Sequence, residues 1–205
     1  MSTYTIAAIP TLYKGRQYRS RLEAKWAAFF DLLGWEHEYE PFDLGAWSPD
    51  FLLKPIGRSW AGSLLVEVKP ISDFSHEVAD KMAVAARNRP YVRLLLVGTN
   101  PKSVSNDPWE GDRCQIGWVG VERADGSGHD WSHASLLWFP HRDHPAFYAD
   151  IPLNDGCHFG SRGALSGKVA CASADSDTRR YPQHAADLWA KASNAVQWLG
   201  KRAQP

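Results

Sequence analysis

The chain has 205 residues and carries 23 Lys and Arg against 23 Asp and Glu, so its formal net charge at pH 7 is zero. That length fits one domain of moderate size, or one domain with an extension, and the neutral balance excludes a globally basic nucleic-acid binder; any binding face must be a local patch. The three cysteines, Cys114, Cys157 and Cys171, have no paired spacing and suit a reducing cytoplasm, and no apolar window approaches a membrane span or the core of a signal peptide.

Residues 1–17 read as an irregular or extended lead-in. A helix is predicted from Ser20 to Leu33, where Leu22, Trp26, Phe29, Phe30 and Leu33 form one apolar stripe and Gly34 supplies the stop. Ser20-Arg21-Leu22-Glu23 has the form of a capping box, which gives Glu23 a structural role of its own. Trp35–Phe42 alternates and reads as a strand, with Glu36, Glu38 and Glu40 on one face. That face suits a charged sheet edge, and the alternative turns Glu38 or Glu40 towards a site.

Ser48–Pro70 follows. Its apolar runs Phe51-Leu52-Leu53 and Leu64-Leu65-Val66 with Val68 read as two buried strands joined by a polar turn at 57–62. Ser72 or Asp73 caps a second helix through Asn88, with Phe74, Val78, Met82, Ala85 and Ala86 as its buried stripe. Tyr91–Gly98 is then a buried strand, parallel to its neighbour after the helical crossover. Helix, strand, strand, strand, helix, strand is the resulting order, an α/β arrangement with a mixed sheet.

Beyond Asn100 the pattern is looser. Asn100–Arg113 reads as loop, and Cys114–Glu122 and Ser135–Phe139 read as a strand pair around a turn at Ala124–His133. Residues 140–183 show no sustained period. His184–Leu199 reads as a helix packing back on the sheet through Leu188, Trp189, Ala192, Val196 and Leu199. His129, His133, His141, His144, Cys157, His158 and Cys171 offer zinc-ligand chemistry, but their spacing fits no well-marked finger.

The chemistry concentrates in the hairpin. Asp50 opens its first strand behind Pro49, and Glu67 and Lys69 close the second on one face. Two carboxylates and an ammonium at one strand end are costly unless a cation or a phosphate uses them. Oxygen ligands of this kind suit Mg2+ or Mn2+. The bland alternative is a strand edge with a weak salt bridge, and a turn role for Asp50.

Pro49-Asp50 followed by Glu67-Val68-Lys69, with Arg19-Ser20-Arg21-Leu22-Glu23 on the preceding helix, resembles the PD-(D/E)xK nuclease superfamily. The likeness is to small phage- and mobile-element-associated endonucleases, some related to transposon end-cleaving nucleases and Holliday-junction resolvases. It covers about residues 10–100; Pro70, where many relatives have a small residue, departs from it. The resemblance implies a restriction-endonuclease-like αβββαβ core over residues 1–100, with residues 101–205 as an extension packing on the same domain. It further implies a Mg2+- or Mn2+-dependent endonuclease hydrolysing DNA, working in the cytoplasm of a bacterial host cell. Glu23, Asp50, Glu67 and Lys69 would be catalytic. The cation would be held by Asp50, Glu67, the Val68 carbonyl and Glu23, directly or through water. Arg19, Arg21 and Lys25 would contact DNA phosphates; a solvated helix face is the alternative for each. Expected partners are DNA and a second copy or a larger mobile-element complex, with no membrane. The rival expectation is a catalytically silent module that keeps the fold to bind DNA or protein.

Overall fold

A computed structural model describes residues 8–54, 63–87, 92–107, 111–123, 125–139, 146–152, 158–159 and 185–196. Helices and a mixed sheet make it an α/β protein. In chain order the elements begin with β1 (Thr11–Tyr13), β2 (Arg16–Tyr18) and α1 (Arg21–Leu32), then β3 (His37–Tyr39), β4 (Phe51–Leu53) and β5 (Ser63–Val68). α2 (His76–Ala86), β6 (Val92–Asp107), β7 (Gly111–Glu122) and β8 (His129–Phe139) follow, and β9 (Ala146–Pro152), β10 (His158–Phe159) and α3 (Ala185–Ala195) come last.

Among the described residues, β10-β9-β8-β7-β6-β5-β4-β3 form one eight-stranded sheet. Its one parallel pair is β5–β6, the two strands joined through α2. Such a pair needs a crossover, which is why the 76–86 helix lies between them. β3 lies at one edge of this sheet, and Lys54 reaches back to Glu36 and Glu38, at 3.6 and 3.2 Å.

The sheet separates two apolar layers. Phe51, Leu53, Leu64, Val66, Leu95 and Val97 face α1 and α3. Leu52, Leu65, Leu94 and Leu96 face α2 through Met82 and Ala86. Both faces of β4 and β5 are therefore covered, and their sequences read as continuous apolar runs instead of alternating ones.

α1 starts because the Ser20 hydroxyl accepts the Glu23 amide at 3.1 Å. It stops at Gly34, whose φ of 70° is left-handed. Its buried surface is wider than the predicted stripe: Ala24, Ala27 and Ala28 are fully covered as well. The reason is α3, which brings Trp189 to 4.8 Å from the Trp26 ring and 5.7 Å from Phe29. The last helix thus packs on α1, with Leu188, Ala192 and Val196 buried in the same layer; Leu199 lies outside the described residues.

Several expectations are corrected. The lead-in contains a hairpin, β1–β2, closed by Lys14 and Gly15 with φ of 46° and 77°. Two left-handed central residues give the turn the twist that a two-residue hairpin needs. α2 is capped by Ser75, whose side chain accepts the Val78 amide, and not by Ser72 or Asp73. Residues 100–107 are strand, since β6 continues past Gly98 through register shifts to pair with β7. His129–Ala134 belongs to β8, so the predicted turn there is shorter. β9 and β10 fall within residues 140–183, where the sequence shows no sustained period. In β6, β7 and β8, pairing with distant strands imposed extended structure where local alternation was weak. The turn at 57–62 lies outside the described residues.

Candidate active site

The three carboxylates come from different elements. β5 delivers Glu67 beside Trp47 on the α2 face, where the Trp47 indole donates to Glu67 Oε2 at 2.7 Å. Glu67 is 5 % exposed, so this bond satisfies an oxygen that water reaches poorly. Asp50 precedes β4 and is 3 % exposed; its Oδ2 accepts the Val68 amide at 2.7 Å. The Lys69 amide donates to Val97 on the β6 side at 3.0 Å. Ladder alternation then turns both the amide and the carbonyl of Val68 towards β4, the side from which Asp50 reaches in. Lys69 Nζ stands 2.5 Å from Glu67 Oε1, with its side chain 41 % exposed.

Glu23 lies in the first turn of α1, where the helix dipole favours an anion. Its Oε1 accepts the Ser20 hydroxyl at 2.7 Å, and its Oε2 accepts the Tyr39 hydroxyl at 2.5 Å. The capping function and the placement near Asp50 hold together: Glu23 and Glu67 both contribute repulsion that raises the Asp50 pKa. Burial comes first among those causes, Glu67 second, and the Val68 amide bond works against them; the result is pushed up to about 7. Lys69 also lowers it, less strongly.

Of the three cations expected at phosphates, Arg19 sits on carboxylates. Its Nη2 contacts Asp50 Oδ1, and its Nε is 2.9 Å from Glu40 Oε1. Partial burial works against its charge, and Asp50 and Glu23 more than offset that, so its pKa is raised. Arg21 is exposed at the helix start. Lys25 is half-buried with Nζ 5.9 Å from the Trp189 ring centre, and burial lowers its pKa.

Sequence patterns did not single out Trp47 or Tyr39. Trp47 stands three residues before Asp50, and its placement against Glu67 depends on how the 40–50 loop folds over the α2 face. Tyr39 occupies the non-acidic face of β3, so alternation alone would have turned it inward. Trp47→Phe leaves Glu67 Oε2 without its donor and is expected to cost about 1–3 kcal/mol, read as a lower urea midpoint at unchanged slope.

Among the described residues no three His, Cys, Asp or Glu side chains are gathered into a ready ligand set. His129 and His133 lie on β8 and His158 on β10, while His141, His144, Cys157 and Cys171 fall outside the described residues. The donors at the carboxyl end of β5 are instead two buried carboxylates and a strand carbonyl, and one or two carboxylates suffice for Mg2+. Asp50 and Glu67 repel each other in a buried site and are compensated by Arg19 and Lys69; a hard divalent ion suits the same carboxylate oxygens and the Val68 carbonyl by donor type. Comparison with protein-family models, curated proteins and solved structures gives no match.

Proposed function

We infer that the chain is a Mg2+- or Mn2+-dependent endodeoxyribonuclease of the PD-(D/E)xK type, its αβββαβ segment serving as a restriction-endonuclease-like core. The observation that carries this is the junction of Asp50, the Val68 backbone, Glu67 and Lys69 at the carboxyl end of β5. Open α/β sheets bind ligands at the carboxyl ends of parallel strands, and β5 is a member of the one parallel pair here.

Asp50, Glu67 and the Val68 carbonyl would hold the cation, with Glu23 placed to assist through water. When bound, the ion supplies charge neutralisation at the phosphate and lowers the pKa of a coordinated water. Lys69 keeps its ammonium against Glu67 yet partly open to solvent, so it can orient an attacking water and stabilise charge building on phosphorus. Arg21, exposed at the start of α1, would supply a phosphate contact that positions DNA without reading sequence. A phage or other mobile element, expressed in a bacterial cytoplasm, is the setting this activity suits.

One observation favours the silent-module reading. Arg19 on Asp50 and Lys69 on Glu67 already neutralise both carboxylates without any metal. Cleavage of supercoiled, linear, single-stranded and branched DNA with Mg2+, Mn2+ or EDTA separates the two. Metal-dependent nicking that Asp50→Ala abolishes is the expected result. Absence of cleavage on every substrate, with no thermal stabilisation by Mg2+, supports the silent module instead.

A further inference from the structure

Arg19 is placed more deliberately than a phosphate-binding arginine needs to be. Its guanidinium spans Asp50 and Glu40, and Nε is 3.8 Å from Glu23 Oε2. Its own amide donates to the Tyr39 hydroxyl at 3.0 Å, and that hydroxyl in turn holds Glu23. Glu40 follows Tyr39 with a left-handed φ of 47°, a conformation that non-glycine residues adopt at a cost. Its amide donates to the Asp50 carbonyl at 2.9 Å. Residue 40 is thus held beside Asp50 by its backbone, with its carboxylate on Arg19.

The two acids differ in exposure. The Asp50 side chain is 4 % exposed, the Glu40 side chain 44 % and Arg19 55 %. The guanidinium therefore covers a buried carboxylate from the solvent side while keeping a second, hydrated partner. A guanidinium has five N–H donors in a fixed fork, so it can release one acid and stay on the other.

We propose that Arg19 is a resident counter-cation that competes with the divalent ion for Asp50, and that Glu40 is the anchor to which it withdraws when the ion binds. This rests on the metal-site reading given above. A guanidinium and a divalent ion are alternative ways to neutralise the same buried oxygen, and their mutual repulsion keeps both from occupying it. Without Arg19, the metal-free site would hold an uncompensated carboxylate. Without Glu40, Arg19 would lean on Asp50 more strongly. Arg19 is thus a positioning residue that sets the affinity of the site.

The test is Mn2+ binding by calorimetry at pH 8 without DNA, so that no readout depends on cleavage. Arg19→Gln is expected to tighten Mn2+ binding about tenfold, the size of one partly screened ion pair given up by the competitor. Its melting temperature in EDTA falls, and Mn2+ raises it by more than in the unaltered protein. Glu40→Gln is expected to weaken binding about threefold, and to have an effect below about twofold when Arg19→Gln is already present. Arg21→Gln removes the same charge from the same helix end and is expected to shift affinity by less than about twofold, because that charge is exposed and screened. Mn2+ binding by the unaltered protein that Arg19→Gln does not tighten overturns the proposal and leaves the metal site standing. Equal tightening by Arg21→Gln also overturns it, since only overall charge would then be at work. Failure of the folded unaltered protein and of folded Arg19→Gln to bind Mn2+ overturns the metal-site reading and the proposal together.

Discussion

Replacing Lys69 with alanine is expected to lower Mg2+-dependent DNA cleavage by about 10²–10⁴-fold while cation binding stays intact or tightens. Lys69 directly follows β5, where its backbone is held by the bond to Val97, so truncating the side chain leaves the strand in register. The ammonium is partly exposed but Glu67 is buried, so losing their ion pair costs the fold about 1–3 kcal/mol. Glu67 retains the Trp47 indole and loses a competing cation, which is why affinity for a divalent ion does not fall. Nicking rates at saturating Mg2+, measured beside the Mg2+-induced rise in melting temperature, separate the two effects. Cleavage at the original rate would remove Lys69 from the chemistry.

Asp50→Asn should abolish cleavage and, in EDTA at pH 8, make the protein more stable. The Asp50 carboxyl is pushed up to about 7 by burial and by Glu67, from an ordinary value of 3.8. Between those values the unfolded chain is ionised at this position and the folded protein is protonated. Folded protein therefore binds more protons, and stability falls as pH rises from about 4 to about 7. Above that range the folded protein carries the full cost of a buried charge, reduced by Arg19 and by the Val68 amide. Asparagine can still accept the Val68 amide through its oxygen and carries no charge. We expect it to stabilise the metal-free protein by about 2 kcal/mol at pH 8, or roughly 4–8 °C in melting temperature. The stability curve of the variant between pH 4 and pH 8 should be flatter. Divalent-ion binding requires the ionised carboxylate, so affinity in the unaltered protein should climb from pH 6 to pH 8. Destabilisation by Asp50→Asn at pH 8 would show that Arg19 and Val68 already outweigh the burial cost.

Much of the fold is legible locally. The α1 stripe, its Ser20 cap and its Gly34 stop are side-chain and backbone preferences acting within a few turns. The apolar runs of β4, β5 and the start of β6 mark strands covered on both faces. What was misread lacks the usual turn signal or depends on a distant partner. The Lys14-Gly15 turn lacks the Asn-Gly form that announces a hairpin, and residues 100–107 are extended because β7 pairs with them. Strand formation there is decided by packing across the sheet, which no local window contains.

The site divides the same way. The supply of acids and of one lysine is readable residue by residue, and strand alternation puts Glu67 and Lys69 on a common face. Long-range packing brings the Val68 amide to Asp50, sets Trp47 and Tyr39 against Glu67 and Glu23, and lays Arg19 on carboxylates. The physical reason is burial. Covering Asp50 and Glu67 on both faces of the sheet removes water, and each charged oxygen must then find a donor from whichever element the fold brings near.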